Sequence, residues 1–340
     1  MNAQNRLTPE PALPVGVPLA LPSAAPTGAQ KARSGGHSGA PWDGTTRLTG
    51  HPISHPAAEP LMPDRPRLIR PTSELVQLLT DRDLLALKDL EQFRLLSTRH
   101  IQRLRFHQHA SVASGTRTAV RILNRLEGHG LISRLSRRVG GSVRGSAANV
   151  WQLAATGERV LRRLSGETPR RRYVEPSAQF SRHTLAIAEL ATLLNEQART
   201  GVVELLELQA EPDCWRQYTN AAGVAKWLKP DLYVVTADTQ FETHAFVEVD
   251  LATEHMPAIV RKCLAYQRYW RTGIEQTTRD LFPAVVWVTP NETRARKLRT
   301  AIREEPSLTT ELFHVIPVNE ALGVLAPDAP TSNASKGGTP

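Results

Sequence analysis

The chain has 340 residues, a formal net charge of +9 and two cysteines. That length accommodates two ordinary domains. Cys214 and Cys263 stand far apart and outside any metal spacing, which excludes a zinc motif or a disulfide framework, and no apolar run reaches membrane length.

The charge is unevenly spread. Between Arg94 and Arg172 there are 17 arginines, no lysine and only three acids, Glu127, Glu158 and Glu167. That segment outweighs the whole chain's +9 and leaves the remainder net negative. Such asymmetry points to a nucleic-acid-binding module joined to something that is not one. The competing reading is a solvated, arginine-rich surface of compositional origin, which leaves the loss of acids from the same segment without explanation.

In chain order, residues 1–72 are rich in Pro, Ala, Gly and Ser without apolar periodicity, the composition of a disordered tail. The apolar stretch at 15–25 is broken by Pro18 and Pro22 and reads as part of that tail and not as a signal peptide. A first module spans 73–166. Leu84, Leu87 and Leu90 recur at helical spacing behind Asp81 and Asp83, acids that favour a helix N-terminus. Ser97 or Thr98 caps a second helix with Ile101 and Leu104. A third follows Ser114-Gly115-Thr116 and ends at Gly128-His129-Gly130. Strands are expected at 131–135 and 149–153, around a Gly-rich basic tip at 139–145, and Thr156-Gly157-Glu158 opens a fourth helix.

Three helices followed by a basic-tipped hairpin is the order of a winged helix. In the third helix Ala119, Ile122, Leu123 and Leu126 make one apolar face. The outer face keeps Arg117, Thr118, Arg121, Asn124 and Arg125, residue types that reach guanine, adenine or phosphate. Arg137, Arg138 and Arg144 in the wing suit phosphate or minor-groove contact. A winged helix that mediates protein contacts is the alternative.

A linker is expected over 167–179, then an α/β module over 180–325, with a second disordered tail over 326–340. Ile187, Leu190, Ala191 and Leu194 mark an amphipathic helix. Strands follow at 202–209, 231–235 and 244–249, with a loop or irregular hairpin at 214–224. Thr253 caps a long helix to about Trp270, a strand covers 284–288, Asn291 caps another helix, and a last strand lies near 313–316. The first three strands are expected to form a meander and the later ones to add through helical crossovers.

Within this module Lys229-Pro230-Asp231 and Phe246-Val247-Glu248-Val249-Asp250 put three carboxylates at strand ends. Converging, Asp231, Glu248 and Asp250 could hold Mg²⁺ or Mn²⁺, with Lys229 or Lys262 facing developing phosphate charge. The plainer reading is structural: Asp250 supports a helix N-terminus and Glu248 pairs with Lys262 or an arginine.

The runs Asp83-Leu84-Leu85-Ala86-Leu87 through Phe93-Arg94-Leu95-Leu96-Ser97-Thr98-Arg99-His100-Ile101, and Pro230-Asp231, Phe246 to Asp250, Thr253-Glu254, Lys262 and Tyr266, resemble the replication-relaxation family of plasmids and conjugative elements. The resemblance implies a DNA-binding protein acting in replication control or transfer, with double-stranded DNA, replication or transfer proteins of the same element, or a second copy of the chain as partners. The absence of a membrane-length apolar run and of a signal-peptide pattern gives the expectation of a cytoplasmic protein with no membrane partner. The second module also resembles the restriction-endonuclease-like fold, so the expected class is α+β, a winged helix followed by that α/β core. In that core's motif Asp231 and Glu248 match, Asp250 stands where a lysine is usual, Lys262 would be the relocated lysine and Glu189 an additional acid. A Mg²⁺-dependent nuclease or nickase using Asp231, Glu248, Asp250 and Lys262 is therefore the alternative function. A winged-helix transcriptional regulator is a further one, its dimer interface drawing on Leu264, Tyr266 and Trp270 unless these bury against the sheet.

Overall fold

The computed structural model describes residues 71–136, 149–166, 176–220 and 222–327. The tail expected at the N-terminus up to residue 70, the hairpin tip with Arg137, Arg138 and Arg144, residues 167–175 of the expected linker and the chain beyond 327 lie outside the described residues.

Helix α1 (Thr72–Leu78) precedes α2 (Asp81–Phe93). A capping box starts α2: the Thr80 side chain accepts from the Asp83 N–H, and the Asp83 carboxylate accepts the Thr80 N–H at 2.8 Å. Strand β1 (Leu95–Ser97) leads directly into α3 (Thr98–Arg105), capped by Ser97 as its sequence position implies. Helix α4 (Val112–Gly128) follows, then β2 (Ile132–Arg134), β3 (Val150–Leu153) and α5 (Ala155–Ser165). The three strands form an antiparallel sheet in the order β1-β3-β2. Trp151 fills its centre, fully buried, and its indole N–H donates to Thr98 Oγ1 at 2.9 Å. Gly157 lets α5 sit close, because a Cβ there would stand 2.2 Å from the Leu131 carbonyl oxygen. Neither α1 nor β1 is evident in the sequence. Three residues are too few for an alternating pattern, and β1 exists only through pairing with a strand 55 residues away, Leu95 opposite Gln152 and Ser97 opposite Val150.

Helix α6 (Ala178–Ala198) is followed by β4 (Glu204–Ala210), the hairpin β5 (Arg216–Thr219) and β6 (Ala225–Leu228), then β7 (Leu232–Ala237) and β8 (Glu242–Val249). Helices α7 (Met256–Trp270) and α8 (Ile274–Arg279), strand β9 (Ala284–Thr289), α9 (Glu292–Glu304), β10 (Phe313–Pro317) and α10 (Ala321–Leu325) complete the described chain. The five-stranded sheet has the order β10-β9-β8-β7-β4. Strands β4, β7 and β8 pair antiparallel, while β9 and β10 add in parallel through helical crossovers, as the expected meander requires. The class is α+β with mixed strand directions. Two start signals differ: α4 begins at Val112 behind Ser111, so Ser114-Gly115-Thr116 lie inside it and not ahead of it, and α7 begins at Met256 after His255, not at Thr253.

Alternation along the strands separates two cores. Leu232, Val234, Val247, Val249, Val286 and Val288 face α6, and their cluster is continuous with Leu87, Leu90, Ile101, Leu104, Leu123 and Leu126 of the preceding helices. Tyr233, Phe246, Val285 and Trp287 face the other way, onto α7 and α9. Tyr266 is fully buried in this second core, in keeping with a packing role and not an exposed interface. Polar contacts reinforce the junction. Gln92 Nε2 donates to the Leu208 carbonyl at 2.7 Å, and Arg103 donates to Glu189 at 2.5 Å and, through Nε, to Glu196 at 2.8 Å.

Candidate nucleic-acid interface and carboxylate site

Helix α4 is amphipathic because Ala119, Leu123 and Leu126 recur on one side and are buried, with Ile122 half-buried beside them. On its outer side Arg117, Arg121, Asn124 and Arg125 are exposed and Thr118 is half-buried. These side chains are not equivalent. Arg125 Nη2 donates to Asp83 Oδ1 at 2.5 Å, so it ties α4 to the start of α2. Asn124 Oδ1 accepts from Arg134 at 3.0 Å, and Arg134 also pairs with Glu127 at 2.9 Å. Thr118 Oγ1 donates back to the Ser114 carbonyl at 3.1 Å. Arg117 and Arg121 have no partner among the described residues, so their guanidinium groups face solvent ready for an external anion.

In the sheet, Leu232 pairs with Val247, which sets Asp231 beside Glu248 at the open end of β7 and β8. Both carboxylates are buried, at 6% and 1% exposure. Asp231 Oδ2 accepts the Val249 N–H at 2.8 Å, and its Oδ1 meets His183 Nε2 of α6 at 3.1 Å. Glu248 accepts from the Lys262 ammonium on one oxygen and the Tyr266 hydroxyl on the other. Lys262 and Tyr266 are four residues apart on α7, so one helix face delivers both.

The charges shape one another. Burial pushes the Glu248 carboxyl upward, and the adjacent Lys262 ammonium pulls it back toward the ionised form. Burial works against the Lys262 ammonium, but Glu248 and Asp231 more than offset it and hold its pKa above the usual lysine value. For Asp231 burial acts upward, and the Lys262 charge and His183 together outweigh it, keeping the carboxyl below its ordinary value. His183 is raised in return, chiefly by its hydrogen bond to Asp231. A cavity of about 280 Å³ opens beside His183, lined also by Ser177, Gln179, Phe180, Leu251 and Glu254.

Of the residues singled out from sequence, Asp231, Glu248 and Lys262 come together and three others do not. Asp250 is bound by Arg294 of α9, from Nε at 2.6 Å and Nη2 at 3.1 Å. Lys229 lies over the Trp215 ring, 4.2 Å from its centroid. Glu189 is held in the α3–α6 junction by Arg103 and by His100 at 3.0 Å, and these partners, His100 first, hold its carboxyl down to about 2. His183 and Arg294 escaped sequence reading: they lie 48 residues before Asp231 and 44 after Asp250, and no local spacing links them. Sequence marks Tyr266 only through the family resemblance and as an interface or packing residue, although its place one helical turn after Lys262 is the signal that brings it to Glu248.

A divalent cation does not fit these residues as they stand. Lys262 already supplies the positive charge between Asp231 and Glu248, and Asp250 is taken up by a guanidinium. Among the described residues no group of three or more His, Cys, Asp or Glu side chains is arranged to hold a metal ion. The site can instead present a cationic imidazole, backed by a carboxylate, at the wall of a cavity, with an ammonium behind it.

Fold and site thus define an α+β protein with a solvent-facing arginine pair on one helix and a buried acid–lysine group at the end of its central sheet. The family model described as replication-relaxation matches residues 87–285, more than half of the chain, and the chain belongs to that family. The match runs from Leu87 in α2 to Val285 in β9 and includes α4, His183, Asp231, Glu248 and Lys262. No curated protein and no solved structure matches the chain. Among the described residues no helix is long and apolar enough to cross a membrane.

Proposed function

We propose that this chain is a DNA-binding protein of a plasmid or conjugative element, acting in replication control or transfer, with α4 as its duplex-contacting helix. The observation that carries the reading is the outer face of α4, where Arg117 and Arg121 are exposed and unpaired among the described residues, within a segment nearly free of acids. The helices and hairpin around it follow the order of a winged helix, in which that third helix enters the major groove. Membership of the replication-relaxation family supports the plasmid setting. Expected partners are double-stranded DNA, a second copy of the chain and proteins of the same element. The test is a mobility shift of fragments from the parent element at several salt concentrations. Binding that is unchanged in Arg117→Ala/Arg121→Ala would overturn the assignment of α4.

A second reading, a phosphodiester-cleaving core, is favoured by the convergence of Asp231, Glu248, Lys262 and His183, the last of which lines a cavity. In that reading His183, oriented by Asp231, exchanges a proton with a water or leaving oxygen at its free ring nitrogen, and Lys262 fixes the charge of the two carboxylates. Supercoiled plasmid incubated with the purified protein, with and without Mg²⁺ or Mn²⁺, gives the test. Absence of nicking in every condition, or nicking retained by Asp231→Ala, would remove it.

A further inference from the structure

The β5–β6 hairpin takes no part in either site above. It forms its own two-stranded sheet, with Gln217 opposite Trp227 and Tyr218 opposite Lys226. Tyr218 anchors it, buried against Tyr269 of α7 with ring centroids 5.3 Å apart. The other side is unusual for its exposure: Trp227 is 52% and Val224 50% accessible. Trp215 stands edge-on to Trp227, with centroids 6.5 Å apart and planes at 69°.

Positive charge accompanies this aromatic pair. The Lys229 ammonium lies 4.2 Å from the Trp215 ring centroid, a cation–π contact that keeps the charge beside the indoles. Lys226 is exposed too, but as the cross-strand partner of Tyr218 it leaves the strand on the face opposite Trp227, so Lys229 is the charge that accompanies the indoles. From Cys214 to Pro230 the chain carries Arg216, Lys226 and Lys229 and no acid; Asp213 and the buried Asp231 bound the stretch. Arg216 turns inward to Glu275 at 2.9 Å, which leaves the two lysines as the outward charges. In a chain with 42 basic residues that strongly favours arginine, two lysines within three positions of an exposed tryptophan are a local departure.

An exposed indole beside an ammonium group is what an unpaired nucleotide needs. The ring stacks on a base, and the ammonium meets an adjoining phosphate without reading sequence. A duplex keeps its bases stacked internally and offers no such face. We propose that Trp227, buttressed by Trp215 and with the Lys229 ammonium on the same face, is a stacking platform for single-stranded DNA, separate from the duplex contact assigned to α4. The platform adjoins the carboxylate site through the chain itself. Lys229 is two residues before Asp231, and Cys214 Sγ donates to the Pro230 carbonyl at 3.1 Å, fixing the hairpin to the start of β7. A protein that meets both duplex and unpaired DNA is suited to a locally opened replication or transfer site.

The test uses the full-length protein and a short fluorescent oligothymidylate, followed by anisotropy and by tryptophan quenching. Trp227→Ala should weaken oligothymidylate binding on the order of ten-fold, Trp227→Tyr should keep most of it, and Lys229→Ala should weaken it and flatten its salt dependence, while Lys226→Ala on the opposite face should change it less. Duplex mobility shifts should not change in any of these variants, so failure here leaves the α4 assignment standing. The platform is refuted if Trp227→Ala binds oligothymidylate like the parent protein, or if it loses duplex and single-strand binding by the same factor. It is equally refuted if that variant only converts a concentration-dependent dimer to monomer, because the patch then belongs to a second copy of the chain.

Discussion

Arg294 clamps Asp250 through two hydrogen bonds and uses the same guanidinium to reach the Glu254 carbonyl at 2.7 Å. The acid that sequence placed in a candidate metal set is thus a fastener between the loop after β8 and the first turn of α9. Asp250→Ala leaves a mostly buried guanidinium without its carboxylate and should cost about 3 kcal/mol. Urea unfolding measures this. Any DNA cleavage by the protein should fall no further than the loss of folded protein explains.

On α4 the arginines divide into two kinds. Arg117→Ala and Arg121→Ala should each lower the slope of log affinity against log salt by roughly 1 while leaving unfolding midpoints unchanged. Arg125→Ala should do the reverse. It strips the partner from Asp83, which is fully buried, and should cost about 2 kcal/mol with a smaller effect on the salt slope. Salt-dependent anisotropy and urea titration on the same three variants separate the two outcomes.

The His183–Asp231 pair predicts a pH signature. Asp231 raises the folded-state pKa of His183 above its ordinary 6.5. The pair's contribution to stability is therefore complete below about pH 6.5 and disappears as pH rises through the folded value. Asp231→Asn should bring the His183 titration, followed by NMR of the imidazole protons, down toward 6.5 and remove that decline. On the acid side Glu189, held down to about 2 by His100 and Arg103, contributes stability present above pH 4.5 and lost as pH falls toward 2. Glu189→Gln should flatten the acid limb only.

Because Lys262 stands as the cation of Asp231 and Glu248, EDTA or millimolar Mg²⁺ should not move the melting temperature of the parent protein. Lys262→Met leaves two buried acids side by side and should cost about 3–5 kcal/mol, with part of that loss recovered in Lys262→Met/Glu248→Gln. Scanning calorimetry of the three proteins with and without Mg²⁺ checks both statements. A large Mg²⁺-induced rise in the parent protein would show that the ammonium yields its place to a metal.

Local signals in the sequence were reliable where local physics decides. Ser97 and Asn291 cap α3 and α9, the apolar spacing of α4 marks its buried side, and short apolar runs within 231–235 and 244–249 locate β7 and β8. Long-range pairings were not legible. Glu248 and Asp250 share a sequence parity that suggests one ligand set, but β8 ends at Val249, and beyond it Asp250 answers to Arg294. Glu189 lies on the same helix as His183, and only the docking of α3 decides that Glu189 faces Arg103 while His183 faces Asp231. Thr253 has a cap's chemistry and a helix after it, but Pro257 near the start of α7 sets the first turn two residues later than that signal implies.

The junction of α3 with α6 has a mechanical consequence. Arg103 grips Glu189 and Glu196, Gln92 holds the β4 backbone, and the apolar core runs through without interruption. Contacts this continuous predict little relative motion between α4 and the open end of the central sheet. A nucleic acid touching both would be gauged as by a caliper: a change in the spacing between its two contact points could not be absorbed by the protein and would fall on the DNA as bend or twist.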